Sequence, residues 1–254
     1  IAGRYLISKG KIRFVNLIGI ISICGITIGV AALLIALSVF NGFGGVVTSV
    51  LVGFDPHVRI EKRGGFTRPE YDSTERVVSR NAHVRASSPF ISGKALLVAR
   101  SFNTVVFIRG VDQASAGRVT GLQEKMLYGS LALGDSSGSP GMVIGLVLAD
   151  RLGSVTGADV SVISPCGFQS AMTGIALPQT MKFHVAGIFA SDNKDYDARY
   201  AYVSIDAAQR MFDYEGKYSG IEMRLDDFNA ADDVKKDLRA QLPPGQSIST
   251  WYDL

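Results

Sequence analysis

Few residues in this chain have types and spacings that could do chemistry. Gly134-Asp135-Ser136-Ser137-Gly138 has the G-x-S-x-G spacing of a nucleophile elbow, in which a serine on a sharp strand-to-helix turn attacks an acyl carbon. Ser139-Pro140-Gly141 follows where that helix would begin. His57, His83 and His184 stand at no spacing that singles out a base, so the motif reads as a flexible Gly/Ser loop. Asn193, Asp195 and Asp197 alternate oxygen ligands like the first half of a calcium loop. Ala198 replaces the turn glycine and Ser204 the closing glutamate, so a solvated polar loop is expected there. Three histidines and two cysteines lack the spacing of a zinc site, and Cys24 and Cys166 fall in segments too different to pair. The G-x-x-x-x-G-K-[ST] pattern is missing, so any work this chain performs draws its energy from a partner. The expectation is no catalytic residue, no metal and no cofactor in the chain itself.

The charge pattern is more informative. Of 26 Lys and Arg, four (Arg4, Lys9, Lys11, Arg13) precede residue 14, whereas no Asp or Glu occurs before Asp55. The remaining 22 basic and 23 acidic residues nearly cancel, so the net charge of +3 comes from the first thirteen residues. A diffuse nucleic-acid-binding surface is therefore unsupported. Phe14 to Phe40 carries no charge and is rich in Ile, Leu, Val, Gly and Ala. As a helix it would extend roughly 40 Å, more than the ~30 Å of a bilayer's hydrocarbon core. It is expected to be a retained signal anchor, with 1–13 a cytoplasmic interfacial segment and a stalk reaching about residue 54. The basic flank places the N-terminus in the cytoplasm and the rest outside, in the periplasm of a bacterium with two membranes. Ser22, Gly25, Gly29, Ala32 and Ala36 recur at spacings of three and four, a small-residue stripe along which another helix could pack. One span leaves that stripe without a partner, and the first residue is Ile. The chain is thus expected to be a fragment of a longer membrane protein.

After the span, Val58 and Ile60 alternate with His57, Arg59 and Glu61 as a short half-buried strand. A Gly-Gly turn, a helix from Pro69 to about Arg80 and strands at 84–98 and 104–111 follow. The same grammar returns near the end. Ile221, Met223 and Leu225 alternate with Glu222 and Arg224, Asn229 caps a helix bearing Ala231, Val234, Leu238 and Leu242, and Gln246 to Trp251 is a strand. Two strand–helix–strand units suggest an α+β split ferredoxin-like layer, with halves at 55–111 and 218–254. The region 112–217 between them is expected to be a β-rich insertion, with strands near 159–164, 182–189 and 200–204 and a helix from Leu146 to Leu152 stopped by Gly153. Within the insertion, the segment 165–180 carries Phe168, Gln169, Met172, Ile175, Leu177 and Pro178, a composition suited to docking a partner.

Several runs resemble one family. They are Arg4-Tyr5-Leu6, Ser8-Lys9, Phe14-Val15, Leu17-Ile18, Ile21-Ser22, Gly25-Ile26, Gly29-Val30, Leu37-Ser38-Val39, Asn41-Gly42-Phe43 and Pro56 to Ile60. Val185 to Phe189, Tyr202-Val203-Ser204 and Ala207 to Arg210 extend the pattern. Together they resemble the lipoprotein-releasing ABC transporter permeases of the LolC/LolE type, within the wider MacB-like superfamily. The resemblance implies a periplasmic domain with a Porter-like layer and a Sabre-like insertion, and three further membrane helices beyond residue 254. It also implies a permease homo- or heterodimer that moves triacylated lipoproteins to a periplasmic carrier. Energy would come from a separate ATP-binding subunit, which holds the ATP and Mg. Val30, Leu33, Leu34, Leu37 and Phe40 are then candidates to face lipid or the cargo's acyl chains. The position of 165–180 resembles the Hook loop that recruits the carrier, with Met172 near its central methionine.

Two other functions fit the same features less well. One keeps the architecture but exports peptides or drugs, or transmits force, in the MacB manner. The other is a single-span anchored periplasmic binding module, which leaves the small-residue stripe unexplained.

Overall fold

The computed structural model describes residues 13–99, 102–136, 138–164 and 180–253. The chain divides into two units, one ending at Ser49 and one beginning at Val50.

The first unit consists, in its described part, of most of helix α1 (Arg13–Phe54). From Phe14 to Phe54 the helix has neither a charge nor a proline, and it continues without interruption through Asn41-Gly42-Phe43-Gly44-Gly45. The stalk expected after that run is therefore the same helix. Leu17–Gly42 is long and apolar enough to cross a membrane, and no described residue buries it. In hydrocarbon every backbone polar group must bond within the segment, which overrides the modest helix propensity of Ile, Val and Gly. Thr27 follows the same rule, its hydroxyl donating to the Ile23 carbonyl at 2.8 Å.

The second unit starts from a layer whose connectivity is split in sequence. Strand β1 (Val58–Thr67) leads to helix α2 (Arg68–Val78) and the long strand β2 (Val84–Val98). The chain then runs through β3 (Asn103–Val111), α3 (Gln113–Val119), β4 (Met126–Gly129), β5 (Asp135–Ser136) and β6 (Ser139–Gly145). Next come α4 (Leu146–Leu152), β7 (Asp159–Ile163), β8 (Thr180–Phe189), the single turn α5 (Lys194–Asp197), β9 (Tyr200–Ser204) and α6 (Ile205–Phe212). Strand β10 (Lys217–Leu225), a 3-10 turn, helix α7 (Ala231–Gln241) and β11 (Gln246–Thr250) complete the chain.

Strands β11-β1-β10-β2 lie side by side in that order, all antiparallel. This is the split ferredoxin-like arrangement, and the insertion occupies the connection from β2 to β10. Val58, Ile60, Ile221, Met223 and Leu225 pack one face of the layer against Tyr71 and Val78 of α2 and Ala231, Val234 and Leu238 of α7. The Gly-Gly pair expected as a turn lies inside β1. Gly64 and Gly65 have φ of 85° and 80°, and the pairing with β10 shifts between Glu61 and Phe66. Only glycine takes two such angles in succession cheaply, so the strand bulges there and continues. The cap expected at Asn229 falls two residues earlier. Asp227 accepts from the Asn229 amide at 2.9 Å and opens the 3-10 turn that precedes α7.

The insertion closes on itself. β2 pairs β3, β3 pairs β9, β9 pairs β6, β6 pairs β8, β8 pairs β7, and β7 returns to β2. That six-strand circuit encloses Leu97, Ile108, Met142, Ile144, Val162, Phe183 and Val203. The 15-residue β2 makes both structures possible. Residues 84–90 pair β10, 90–98 pair β3, and 96–98 pair β7 on the edge that β10 has left. The sequence reading groups 103–111 with the first layer, but Val106 and Ile108 of that strand lie in the core of the closed circuit. Closure leaves these six strands no shared open edge.

One feature of the layer sets a pH dependence. Glu70 accepts from Lys62 Nζ at 2.7 Å and from the Thr67 amide at the start of α2 at 3.0 Å, and these bonds hold its carboxyl down to about 2. A depressed carboxyl stabilises the fold above its unfolded pKa, and that contribution fades as pH falls through the folded value. Glu70→Gln is therefore expected to lower stability at neutral pH. In urea titrations the gap to the parent should shrink between roughly pH 4.5 and pH 2.

Candidate functional site

Three features could serve a transport function. They are the faces of α1, the hairpin that carries 165–179, and a charged cluster behind the ferredoxin-like sheet.

On α1, Ser22, Gly25, Gly29, Ala32 and Ala36 fall within an arc of roughly 80° at 100° per residue. Val30, Leu33, Leu34, Leu37 and Phe40 occupy the adjoining face, centred about 100° round the helix. All ten are exposed, Phe40 most of all among the apolar five at 76%. A Cβ added to Gly25 or Gly29 would meet nothing within 4 Å, so the stripe presents bare backbone on which a neighbouring helix could rest. Cys24 is exposed on the same helix.

Phe168, Gln169, Met172, Ile175 and Pro178 lie outside the described residues, as does Cys166. The strands that launch them are described. β7 and β8 are antiparallel neighbours with Ile163 opposite Thr180, so the segment leaves and returns at adjacent strand ends, and Thr180 belongs to β8. Val160, Val162, Phe183 and Val185 anchor the two arms in the core of the closed circuit. At their base, Val162, Ser164, Thr180 and Met181 face Arg210 and Met211 of α6 across a cavity of about 140 Å³. Loops launched from an anchored pair of strands commonly carry binding residues.

The charged cluster is absent from the sequence reading, which assigns Arg59 and Glu222 to the outward face of half-buried strands. In the fold, Glu222 is 2% exposed and Arg109 4%. Arg59 Nε donates to Glu222 Oε1 at 3.1 Å, and Arg109 forms a second ion pair with the same oxygen. Both guanidiniums lie over the Phe90 ring, at 5.3 and 5.0 Å from its centroid. The insertion explains the burial. Its helix α3 packs on β2 and β10, where Ser115 bonds at 2.7 Å to Ser88, the cross-strand neighbour of Glu222. Burial lowers the Arg109 pKa, and nearby Arg59 adds to the effect. Burial likewise raises Asp55, against the opposing pull of Arg109 and Arg59. The Tyr196 and Tyr202 hydroxyls bond at 2.6 Å, and burial raises both phenols. The cluster therefore ties β1, β3 and β10 to the residue just beyond α1. Its one legible signal is an arginine, Arg109, inside the apolar run 105–111.

The weaker motifs resolve as structural. Asp135–Ser136 pairs with Ser139–Pro140 in a hairpin, so the serine motif lacks the strand-to-helix turn of an elbow. Asn193 accepts from the amides of Asp195 and Tyr196 and caps α5, while Asp197 is buried and accepts from the Ser191 amide and hydroxyl. Among the described residues no group of His, Cys, Asp and Glu is arranged to hold a metal.

The model of the MacB-like periplasmic core domain matches residues 20–241, which cover most of the span, the insertion and the layer except β11. The chain belongs to that family. The lipoprotein-releasing system transmembrane protein LolC of Neisseria meningitidis serogroup B is 27% identical over 248 residues, covering 98% of this chain and 58% of the relative. The LolE protein of the corresponding system in Haemophilus influenzae is 26% identical over 255 residues, covering 99% of this chain and 60% of the relative. The chain thus spans about three-fifths of these relatives. Among solved structures, the periplasmic region of MacB from Actinobacillus actinomycetemcomitans superimposes with a TM-score of 0.50 at 15% identity, covering 79% of this chain and 91% of that one. The likeness is one of fold. In this MacB-like core, the charged cluster and the closed circuit are the parts that hold layer and insertion together.

Proposed function

We propose that this chain is the N-terminal membrane and periplasmic part of an ABC transporter permease subunit that releases lipoproteins from the inner membrane. The observation that carries this reading is similarity along 98% of the chain to a transmembrane protein of a lipoprotein-releasing system. It is supported by a charge-free span preceded by four basic residues, an arrangement that favours a cytoplasmic N-terminus and a periplasmic MacB-like domain. In this reading the small-residue stripe packs against other permease helices, and the face with Val30, Leu33, Leu34, Leu37 and Phe40 meets acyl chains. A second permease subunit completes the dimer. A separate ATP-binding subunit supplies energy, and the 165–180 segment hands cargo to a periplasmic carrier.

The test is depletion of the full-length protein in its own cell, followed by membrane fractionation. Lipoproteins destined for the outer membrane should accumulate in the inner membrane, and re-expression should clear them. Normal sorting, with loss of export of a peptide or drug instead, would replace this reading with that of a MacB-like exporter.

A further inference from the structure

Beside the charged cluster, but separate from it, three arginines converge on a cavity of about 360 Å³. Arg224 comes from β10, Arg85 from β2 and Arg118 from the last turn of α3, and Glu124 is the one acidic side chain in the lining. A bulge builds this convergence. Arg224 pairs with Ala86 and Leu225 with Val84, so Arg85 is the extra residue opposite that step. Strict alternation would send Arg85 and Ala86 to opposite faces of the sheet, whereas both line the cavity with Arg224.

The charges in the cavity do not balance. Three guanidiniums and one carboxylate leave a formal +2, and neither Arg85 nor Arg118 forms an ion pair with a described residue. Burial lowers the Arg224 pKa, Glu124 pulls it back up and Arg85 depresses it further. Arg224 is thus a half-buried cation repelled by Arg85, and Arg85, Arg118 and Glu124 are exposed on the open side of the cavity. An anion bound among the three arginines would relieve that repulsion.

The floor is fixed by backbone. Gly121 lines the cavity, its amide donates to the Phe54 carbonyl at 3.0 Å, and a Cβ there would fall 2.6 Å from the Gly53 carbonyl. Arg224 Nη1 reaches the carbonyls of Gly53 and Asp55 at 3.4 Å. Gly53 follows Gly42, the last residue of the apolar span, by only eleven residues. Even fully extended, that much chain covers no more than about 40 Å, so the geometry permits a ligand drawn from the membrane surface.

We propose that the Arg85–Arg118–Arg224 cavity binds a phosphate group, presented by a phospholipid headgroup or by a free phosphate. Arginine suits this ligand because its planar fork of N–H donors matches phosphate oxygens two at a time. Glu124 opposes the same ligand and sets how tightly it is held.

The test uses the full-length protein purified in detergent, with inorganic phosphate and dihexanoyl phosphatidylglycerol as probes. Binding is read by calorimetry and by the shift in unfolding temperature at constant ionic strength. Either probe should bind the parent and raise its unfolding temperature. Arg85→Gln with Arg118→Gln should weaken binding about tenfold or more, because two charge-assisted contacts are lost. Glu124→Gln should tighten it about threefold by removing a like charge from the ligand's surroundings. A variant that merely folds badly could not give that second result. Binding of the lipid alone assigns the site to a headgroup, and binding of inorganic phosphate assigns it to a soluble anion. Failure of both probes, or equal affinity in the parent and the double arginine variant, overturns the proposal.

Discussion

Glu222→Ala is expected to cost the Val50–Leu254 unit about 3–5 kcal/mol of unfolding free energy, the range for removing one partner of a buried ion pair. The reason is asymmetry. Glu222 is the carboxylate shared by Arg59 and Arg109, and its loss leaves two guanidiniums facing each other behind the sheet. Neither is free to leave, since both pack on Phe90. A domain of this size has about 5–15 kcal/mol in total, so the variant should unfold roughly 6–20 °C lower. Added salt should rescue little, because the charges are buried. The contrast that checks the mechanism is Glu222→Ala in an Arg59→Met, Arg109→Met background, where the added loss should be much smaller. Urea titration measures all four proteins. A Glu222→Ala penalty below about 1 kcal/mol, the size of an exposed pair, would mean that the cluster is wet and weak.

The second large effect concerns the segment between β7 and β8. If it recruits the periplasmic carrier, Met172→Asp with Phe168→Ala should reduce carrier capture about a hundredfold or more, since buried anchors at an interface are worth roughly 2 kcal/mol or more each. Thermal unfolding should barely change. The core residues of the two arms, Val160, Val162, Phe183 and Val185, lie outside the segment, in the core of the closed circuit. Pull-down of purified carrier by the full-length protein and by the variant decides the matter. Undiminished capture by a folded variant would remove 165–180 from the docking surface and send the search to other exposed positions, such as Leu127 and Tyr128 on β4.

Local features of this protein were legible because they depend on near neighbours. Helix α4 runs from Leu146 to Leu152 and stops at Gly153, whose φ of 57° is the left-handed cap that glycine adopts cheaply. Ala231, Val234 and Leu238 line the buried side of α7, as their spacing requires. Alternation at Ile221, Met223 and Leu225 marked β10 and its core face. The ferredoxin-like layer followed because both strand–helix–strand units repeat this grammar. Where near neighbours compete, boundaries moved. Asp227 displaced Asn229 as the cap, and Gly64-Gly65 became a bulge within β1 where a turn was expected.

The amino-acid order alone carried the apolar, charge-free helix, the basic residues before it, the small-residue stripe and the two halves of the layer. Each depends on covalent spacing or on the solvent a residue type tolerates, and neither needs a partner from far along the chain. Tertiary structure decided which strand faces are dry. Arg59 and Glu222 sit where alternation predicts water, and only the insertion folding across that face turns them into a buried pair with Arg109. It also decided that β2 serves two sheets, that six strands close into one circuit, and that a bulge brings Arg85 beside Arg224. These outcomes join residues separated by tens to more than a hundred positions. Periodicity says that a face exists, and only the folded chain says what covers it.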